Sequence, residues 1–246
     1  MTTEAGMAGS PMRAALLPLE RALLQHHGGW PRQRVRVLVD DGTEHAVPAA
    51  LFFRSGRSRL AVDRAALRLC RGRVLDVGAG AGALALPLQE AGHEVTALEL
   101  LPGAARILRD RGVRDVRQGN LWTFRWERPY DTVLALMNGT APAGTLAGLP
   151  GLLDALACPL APGGQLLVDS TDLRGRGERG RARRPDGRYV GELQYQLEHD
   201  GERGPPFPQL FVDPEQLAVA AAASGLAAAM VWSGRGGSYL VRMTRV

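Results

Sequence analysis

Val74-Leu75-Asp76-Val77-Gly78-Ala79-Gly80-Ala81-Gly82 reads as a strand running into a glycine turn. The strand, Arg73 to Val77, is apolar and short enough to lie buried, and its acid, Asp76, stands two residues ahead of the first glycine. Ala81 to Ala91 has the spacing of a helix, ending at Gly92. Glycines let a backbone turn tightly and approach a ligand, and N–H groups at a helix start can hold a carboxylate or phosphate.

The same rhythm continues outward. Glu94 to Leu98 predicts a second strand, and Pro102 to Arg111 a helix with proline at its start and Gly112 at its end. Val113 to Val116 is a short strand, Tyr130 to Leu136 a buried one, and Leu149 to Leu160 a helix. Pro162-Gly163-Gly164 then leads into a strand at Gln165 to Asp169. Pro214 to Ser224 predicts a last helix, followed by strands at Ala227 to Trp232 and Ser238 to Met243. This alternation implies an α/β, doubly wound, mostly parallel sheet covered on both faces. Upstream, residues 1–12 read as a tail, Met12 to His27 as a helix, Val35–Val39 and His45–Val47 as a hairpin about Asp41-Gly42, and Leu60 to Cys70 as a short helix. The expected organisation is a tail and helix/hairpin cap over 1–70 and a ligand-binding domain over 71–246. An insertion at about 172–212 carries strands at Glu192 to Glu198 and Gln209 to Val212.

Composition bounds the function. The chain has 246 residues, 45% hydrophobic and 22% charged, a globular balance. Two cysteines, Cys70 and Cys158, cannot form a disulfide scaffold and are expected as buried thiols in helices. The five histidines are scattered apart from His26-His27, which are expected at the surface, so no metal is expected. Uncharged stretches at Thr132–Leu153 and Leu217–Trp232 are too rich in Gly, Pro or Ala for a spanning helix. A soluble, cytoplasmic protein without a membrane partner is expected. All 30 basic residues are Arg. Seven fall in Arg174–Arg188 with only Glu178 and Asp186, leaving 23 Arg against 23 acids elsewhere. The basic charge thus belongs to one loop, which makes nucleic acid a weak partner and a small molecule the favoured one.

Glycines at 78 and 80 with Ala83 would also tolerate a dinucleotide, leaving a nicotinamide-dependent oxidoreductase as an alternative. Asp76 argues against it, since a carboxylate there repels a diphosphate and suits a ligand with an amino group and a cationic sulfur. Glu99, ending the second strand before Leu100, can accept from ribose hydroxyls. In Gln118-Gly119-Asn120-Leu121, Asn120 can bond an adenine edge with Leu121 against the ring. Leu136-Met137-Asn138-Gly139 would floor the pocket.

These residues, with Pro162-Gly163-Gly164, resemble the class I S-adenosylmethionine-dependent methyltransferases over about residues 60–170 and, more loosely, the final helix and strands. Phe52-Phe53-Arg54, Leu136–Gly139 and Asp169-Ser170-Thr171-Asp172 are similar to a poorly characterised bacterial subgroup. The resemblance implies a seven-stranded sheet whose last strand is antiparallel, S-adenosylmethionine as cofactor, and donor contacts at Asp76, Gly78, Gly80, Glu99 and Asn120. Many members carry Asp where this chain has Asn120. Ala79, Leu100, Leu121 and Met137 complete the expected donor-binding set.

The implied reaction is in-line displacement at the sulfonium methyl, which asks for positioning and desolvation more than for a catalytic triad. Candidate catalytic residues are Asn138, Asp169, Asp172 and Tyr189, each of which can equally serve a turn, a strand end or a core. The Asp/Asn-Pro-Pro-aromatic motif of nucleic-acid amino-methyltransferases is replaced by Asn138-Gly139-Thr140-Ala141. The acceptor pocket is expected from the cap, the loop after Asn138 and the insertion. A non-catalytic donor-binding regulatory protein is the remaining alternative.

Overall fold

The structure, a computed structural model, describes residues 9–175 and 184–246. In chain order the regular elements are α1 (Gly9–His27), β1 (Arg34–Val39), β2 (Glu44–Pro48), α2 (Ala61–Leu69), β3 (Arg73–Val77), α3 (Ala85–Glu90), β4 (Glu94–Glu99), α4 (Pro102–Asp110), β5 (Asp115–Gln118) and β6 (Tyr130–Ala135). They continue with α5 (Leu149–Ala157), β7 (Leu160–Thr171), β8 (Glu192–His199), β9 (Glu202–Arg203), β10 (Phe207–Leu210), α6 (Pro214–Ala223), β11 (Leu226–Ser233) and β12 (Ser238–Arg245).

Seven strands form one sheet in the order β11-β12-β7-β6-β3-β4-β5. The pairs β4–β5 and β6–β7 are parallel, whereas β12 runs antiparallel to both β7 and β11. This is the doubly wound, mostly parallel sheet that the alternation of elements predicts, with the antiparallel strand that the family resemblance implies. The strands at its centre are buried on both faces: Val74, Leu75 and Asp76 in β3, and Val95 through Glu99 in β4. That pattern requires helices on either side and forbids the alternating polarity of a one-faced sheet. A second sheet has the order β10-β8-β1-β2, with β9 on β8. β1 pairs antiparallel with β8, Val37 opposite Leu197, so a strand from the insertion extends the amino-terminal hairpin.

The chain divides into two compact units. One contains the described residues of 1–59, 76–125 and 194–207; the other contains those of 60–75, 126–193 and 208–246. In the first, Ala15, Ala22 and Leu23 of α1 share a core with Val35 and Val37 of β1, Ala81 of the glycine turn, and Ala104 and Ile107 of α4. The turn is therefore packed from beneath by the amino-terminal segment. In the second, Leu152, Leu153 and Leu156 of α5 and Leu166, Leu167 and Val168 of β7 are fully buried.

Several boundaries differ from the sequence reading. The helix expected at Ala81 begins at Ala85, because Gly80 and Gly82 have φ of +57° and +87°, outside helical conformation. β5 begins at Asp115, two residues late, because Val113 N–H still closes the preceding helix on the Leu108 carbonyl. β7 includes the Pro-Gly-Gly turn and runs on to Thr171. Cys70 and Cys158 are not buried helical thiols: each follows the last residue of a helix, Cys70 half-buried with its Sγ donating to Ala66 O, Cys158 exposed. His26 and His27, the last residues of α1, are half-buried and exposed respectively, in line with a surface position, and both rings pack on Phe53, at 4.5 and 6.2 Å.

Candidate functional site

Most of the residues expected to bind the donor lie in the first unit. β3 delivers Asp76, buried at 2% exposure, and the chain then turns through Gly78 and Gly80 in left-handed conformation. A Cβ added at Gly78 would meet nothing within 4 Å, so open space lies against that backbone. The neighbouring strand β4 ends at Glu99, also buried. Glu99 Oε2 accepts from Gly80 N–H at 2.8 Å and Oε1 from Leu101 N–H at 2.9 Å. Burial pushes the Glu99 carboxyl above the usual range, while these backbone donors favour the charged form. A carboxylate has about four lone-pair positions, so beyond these backbone donors it keeps capacity to accept from a ligand hydroxyl.

The amides of the turn separate the two cofactor classes. Gly78 and Ala79 N–H both donate to the Leu98 carbonyl, at 2.9 and 3.2 Å, and Gly82 N–H donates to Ala79 O. With Gly80 N–H on Glu99, four donors that could otherwise cradle a diphosphate are committed to the protein. α3, starting at Ala85, also places its amino terminus beyond the turn. Two buried acids and a turn with its amides engaged fit a cationic ligand carrying a diol. They suit a diphosphate less well.

Asn120 follows β5, and its Oδ1 accepts from Trp122 N–H at 3.1 Å. That oxygen is thus in use, and the amide Nδ2 is the end suited to a ring nitrogen. Leu100 and Leu121 are half-buried and Ala79 is buried. Gly119 is required by its neighbours: a Cβ there would come within 2.7 Å of the Phe124 ring. Two further side chains lie near the turn. Phe52, in the 3-10 turn Ala49–Phe53, has its Cδ1 3.5 Å from where a Gly80 Cβ would lie. Arg111 donates to the Ala81 carbonyl while its guanidinium stands 5.1 Å from the Phe53 ring centroid. Phe52 and Phe53 entered the reading only as part of a subgroup motif.

Met137 and the four catalytic candidates lie in the second unit. Met137 and Asn138 have φ of 66° and 64°, consecutive left-handed residues without glycine's freedom. Such a pair costs on the order of 1–2 kcal/mol per residue and persists only where its surroundings fix it. Asn138 Nδ2 donates to Leu210 O at 3.1 Å, while Oδ1 accepts from the Thr140 and Ser170 hydroxyls, each at 3.1 Å. Asp169 Oδ1 accepts from Gly139 N–H at 2.9 Å. Burial pushes the Asp169 carboxyl up to about 6 against the pull of the Gly139, Asn138 and Met137 amides. Asp172 is bound by Arg174 at 2.9–3.2 Å, which holds its carboxyl below the usual range. The buried Tyr189 hydroxyl donates to Asp213 Oδ2 at 2.6 Å, and burial raises its pKa. All four candidates are thus engaged by protein groups, and Met137, 38% exposed, offers the turn's apolar surface.

Comparison with known proteins bears on the family. A solved S-adenosylmethionine-dependent methyltransferase from Bacteroides fragilis, in complex with S-adenosyl-L-homocysteine, is 34% identical, covers 95% of this chain and 96% of its own, and superposes with a TM-score of 0.83. The chain belongs to the S-adenosylmethionine-dependent methyltransferases. Methyltransferases of this family are enzymes whose cofactor is S-adenosylmethionine, and the two acids expected to bind it, Asp76 and Glu99, are buried. The CcbJ methyltransferase from Streptomyces caelestis shares the fold at 16% identity, covering 80% of this chain and 95% of its own, with a TM-score of 0.63. An uncharacterized methyltransferase of Staphylococcus carnosus (strain TM300) is 33% identical over 63 residues, 26% of this chain and 30% of that protein. No family model matches.

Three Arg of the Arg174–Arg188 stretch fall among the described residues. Arg174 is tied to Asp172 and Glu215, Arg184 donates to Glu192 O at 3.3 Å, and Arg188 pairs with Asp186 at 2.7 Å. The other four Arg of this methyltransferase's loop, at 176, 179, 181 and 183, lie outside the described residues. Among the described residues, no cluster of three or more His, Cys, Asp or Glu is placed to hold a metal, and no helix is long and apolar enough to cross a membrane.

Proposed function

We propose that this chain transfers the methyl group of S-adenosylmethionine to a small-molecule acceptor by in-line displacement, in the cytoplasm. The observation that carries the donor assignment is the Glu99 carboxylate bonded to the Gly80 amide, which shapes the turn for a diol and withdraws its N–H from phosphate. S-adenosylmethionine supplies a methyl already activated on a cationic sulfur. Asp76 holds the amino group and favours positive charge beside it. Glu99 accepts from the ribose hydroxyls, Asn120 donates to the adenine edge, and Leu100 and Leu121 exclude water from the ring. The Gly78 and Gly80 backbone lets the ligand lie close. The protein's work is to orient and desolvate, which is why a pre-formed acid–base pair is not needed.

A small acceptor is supported by the charge distribution. The chain is neutral outside Arg174–Arg188, and the three described Arg of that loop are bound to neighbours within their own unit. No broad basic surface follows from these charges, and phosphate contacts dominate nucleic-acid affinity.

The test is incubation with methyl-labelled donor and a cell extract separated into small-molecule, protein and nucleic-acid fractions. Label is expected in a small molecule, identified by mass. Label confined to nucleic acid would overturn the acceptor class. Donor binding without turnover on any fraction would favour a regulatory protein.

A further inference from the structure

We propose that Phe52 is a donor-contact residue whose aromatic face recognises the sulfonium, a role that rests on the donor assignment above. Phe52 comes from the amino-terminal segment, well removed in sequence from the glycine turn. Its Cδ1 nevertheless lies 3.5 Å from the position a Cβ would take on Gly80, so the ring stands beside the face of Gly80 that a side chain would occupy. Gly80 stands between the two acids: Asp76 precedes it on β3, and its own N–H donates to Glu99 at 2.8 Å. Glu99 takes the ribose and Asp76 the amino end. The sulfur is one carbon from the ribose ring, so a side chain covering Gly80 faces the junction where the positive charge sits.

The placement is fixed from a second direction. Phe53 packs on His26 at 4.5 Å and stands 5.1 Å below the Arg111 guanidinium, which itself donates to the Ala81 carbonyl. The 3-10 turn Ala49–Phe53 is thus linked to Ala81 by Phe53 through Arg111, and it sets Phe52 beside Gly80. Phe52 is half-buried, in contrast to the fully buried Ala49 that begins the turn. An aromatic face attracts a cation that has left water, and a neutral thioether gains no such attraction. Phe52 therefore separates the methyl donor from its demethylated product, which differ in that charge.

The experiment measures S-adenosylmethionine and S-adenosylhomocysteine affinities by titration calorimetry on the full chain. Phe52→Leu removes the ring and keeps apolar bulk; it is expected to weaken the donor about two- to fivefold more than the product. Phe52→Tyr is expected to keep the wild-type ratio. Replacing Phe52 with its mono-, tri- and pentafluoro analogues keeps size and fold while draining the ring of electron density. The ratio should then fall stepwise with product affinity constant. Equal weakening of both ligands in Phe52→Leu, or a flat ratio across the fluorinated series, would overturn the proposal. Failure of the wild-type chain to bind either ligand would remove the donor assignment instead.

Discussion

Glu99→Ala is the perturbation that bears most directly on the donor site. On the protein side it removes the acceptor for Gly80 N–H at 2.8 Å and for Leu101 N–H at 2.9 Å. An orphaned backbone donor costs about 1–3 kcal/mol where water cannot replace the bond. Deleting a buried carboxylate held above its usual pKa works in the opposite direction. The two effects oppose, so the melting temperature of the unliganded variant should change little. On the ligand side two charge-assisted bonds disappear, each worth roughly 1.5–3 kcal/mol before the hydroxyls regain water. The net expectation is a donor affinity weaker by between about tenfold and a few hundredfold.

Calorimetry with S-adenosylhomocysteine reads the loss, and a ligand lacking both ribose hydroxyls completes a double-mutant cycle. Wild type should bind that dideoxy ligand nearly as weakly as Glu99→Ala binds the parent, and the substitution should have almost no further effect on it. Unchanged affinity for the parent ligand would refute the ribose assignment. An equal loss on both ligands would refute it differently: Glu99 would then act by shaping the Gly80 turn and not by touching the ribose.

Three further substitutions read other parts of the argument. Gly80→Ala forces a side chain into φ +57° with a Cβ against Phe52, so it should lower stability by about 1–2 kcal/mol and the melting temperature by a few degrees, and should weaken donor binding in the same titration. Tyr189→Phe deprives Asp213 of a 2.6 Å bond in a buried setting; urea unfolding should show a loss of about 1–3 kcal/mol, and an unchanged midpoint would mean that the bond is not made. Asp169 keeps its proton up to about pH 6 in the fold, against an ordinary 3.8, so the native state binds more protons than the unfolded chain in that window and stability falls as pH rises through it. Asp169→Asn carries no charge and should gain on wild type as pH is raised, by on the order of 1–3 kcal/mol at pH 7.5; a melting-temperature difference that does not grow between pH 4 and 7.5 would contradict the raised pKa.

The sheet was legible because its central strands are buried on both faces. Val74-Leu75 and Val95 through Leu98 leave no alternation that would suit solvent, and each is followed by turn residues and a helical spacing. Asp76 and Glu99 were legible as acids at strand ends. Their immediate surroundings were not. The bond from Gly80 to Glu99 joins residues separated by an entire helix and strand, and the pairing of β1 with β8 joins opposite ends of the chain. The early helix start at Ala81 failed for a local reason: Ala-rich composition favours a helix, but the left-handed glycines at 80 and 82 delay it to Ala85. His26, Phe53 and Arg111 show a further limit, since an aromatic–cation stack assembled from three elements leaves no periodic trace in sequence.

Two cofactor classes use a strand, a glycine turn and a helix, so the glycines cannot by themselves choose between them. The choice is made by what the turn's amides face. Here Leu98 O takes two of them and Glu99 a third, which leaves the turn presenting its carboxylate partner and its bare glycine surface to a ligand. The same economy holds at the strand ends of the second unit. Asp169 is occupied with the turn at Gly139, Asp172 with Arg174, and the Tyr189 hydroxyl with Asp213. Groups that sequence alone offers as bases are therefore fixing backbone, loop and helix cap. A leaving group that is already cationic needs no acid to assist its departure, so a site can give its polar residues to geometry and leave any proton to the acceptor's own chemistry. Neutralising Asp76 should on this view harm donor binding more than any single change at Asp169, Asp172 or Tyr189, because only Asp76 answers a charge that the ligand brings.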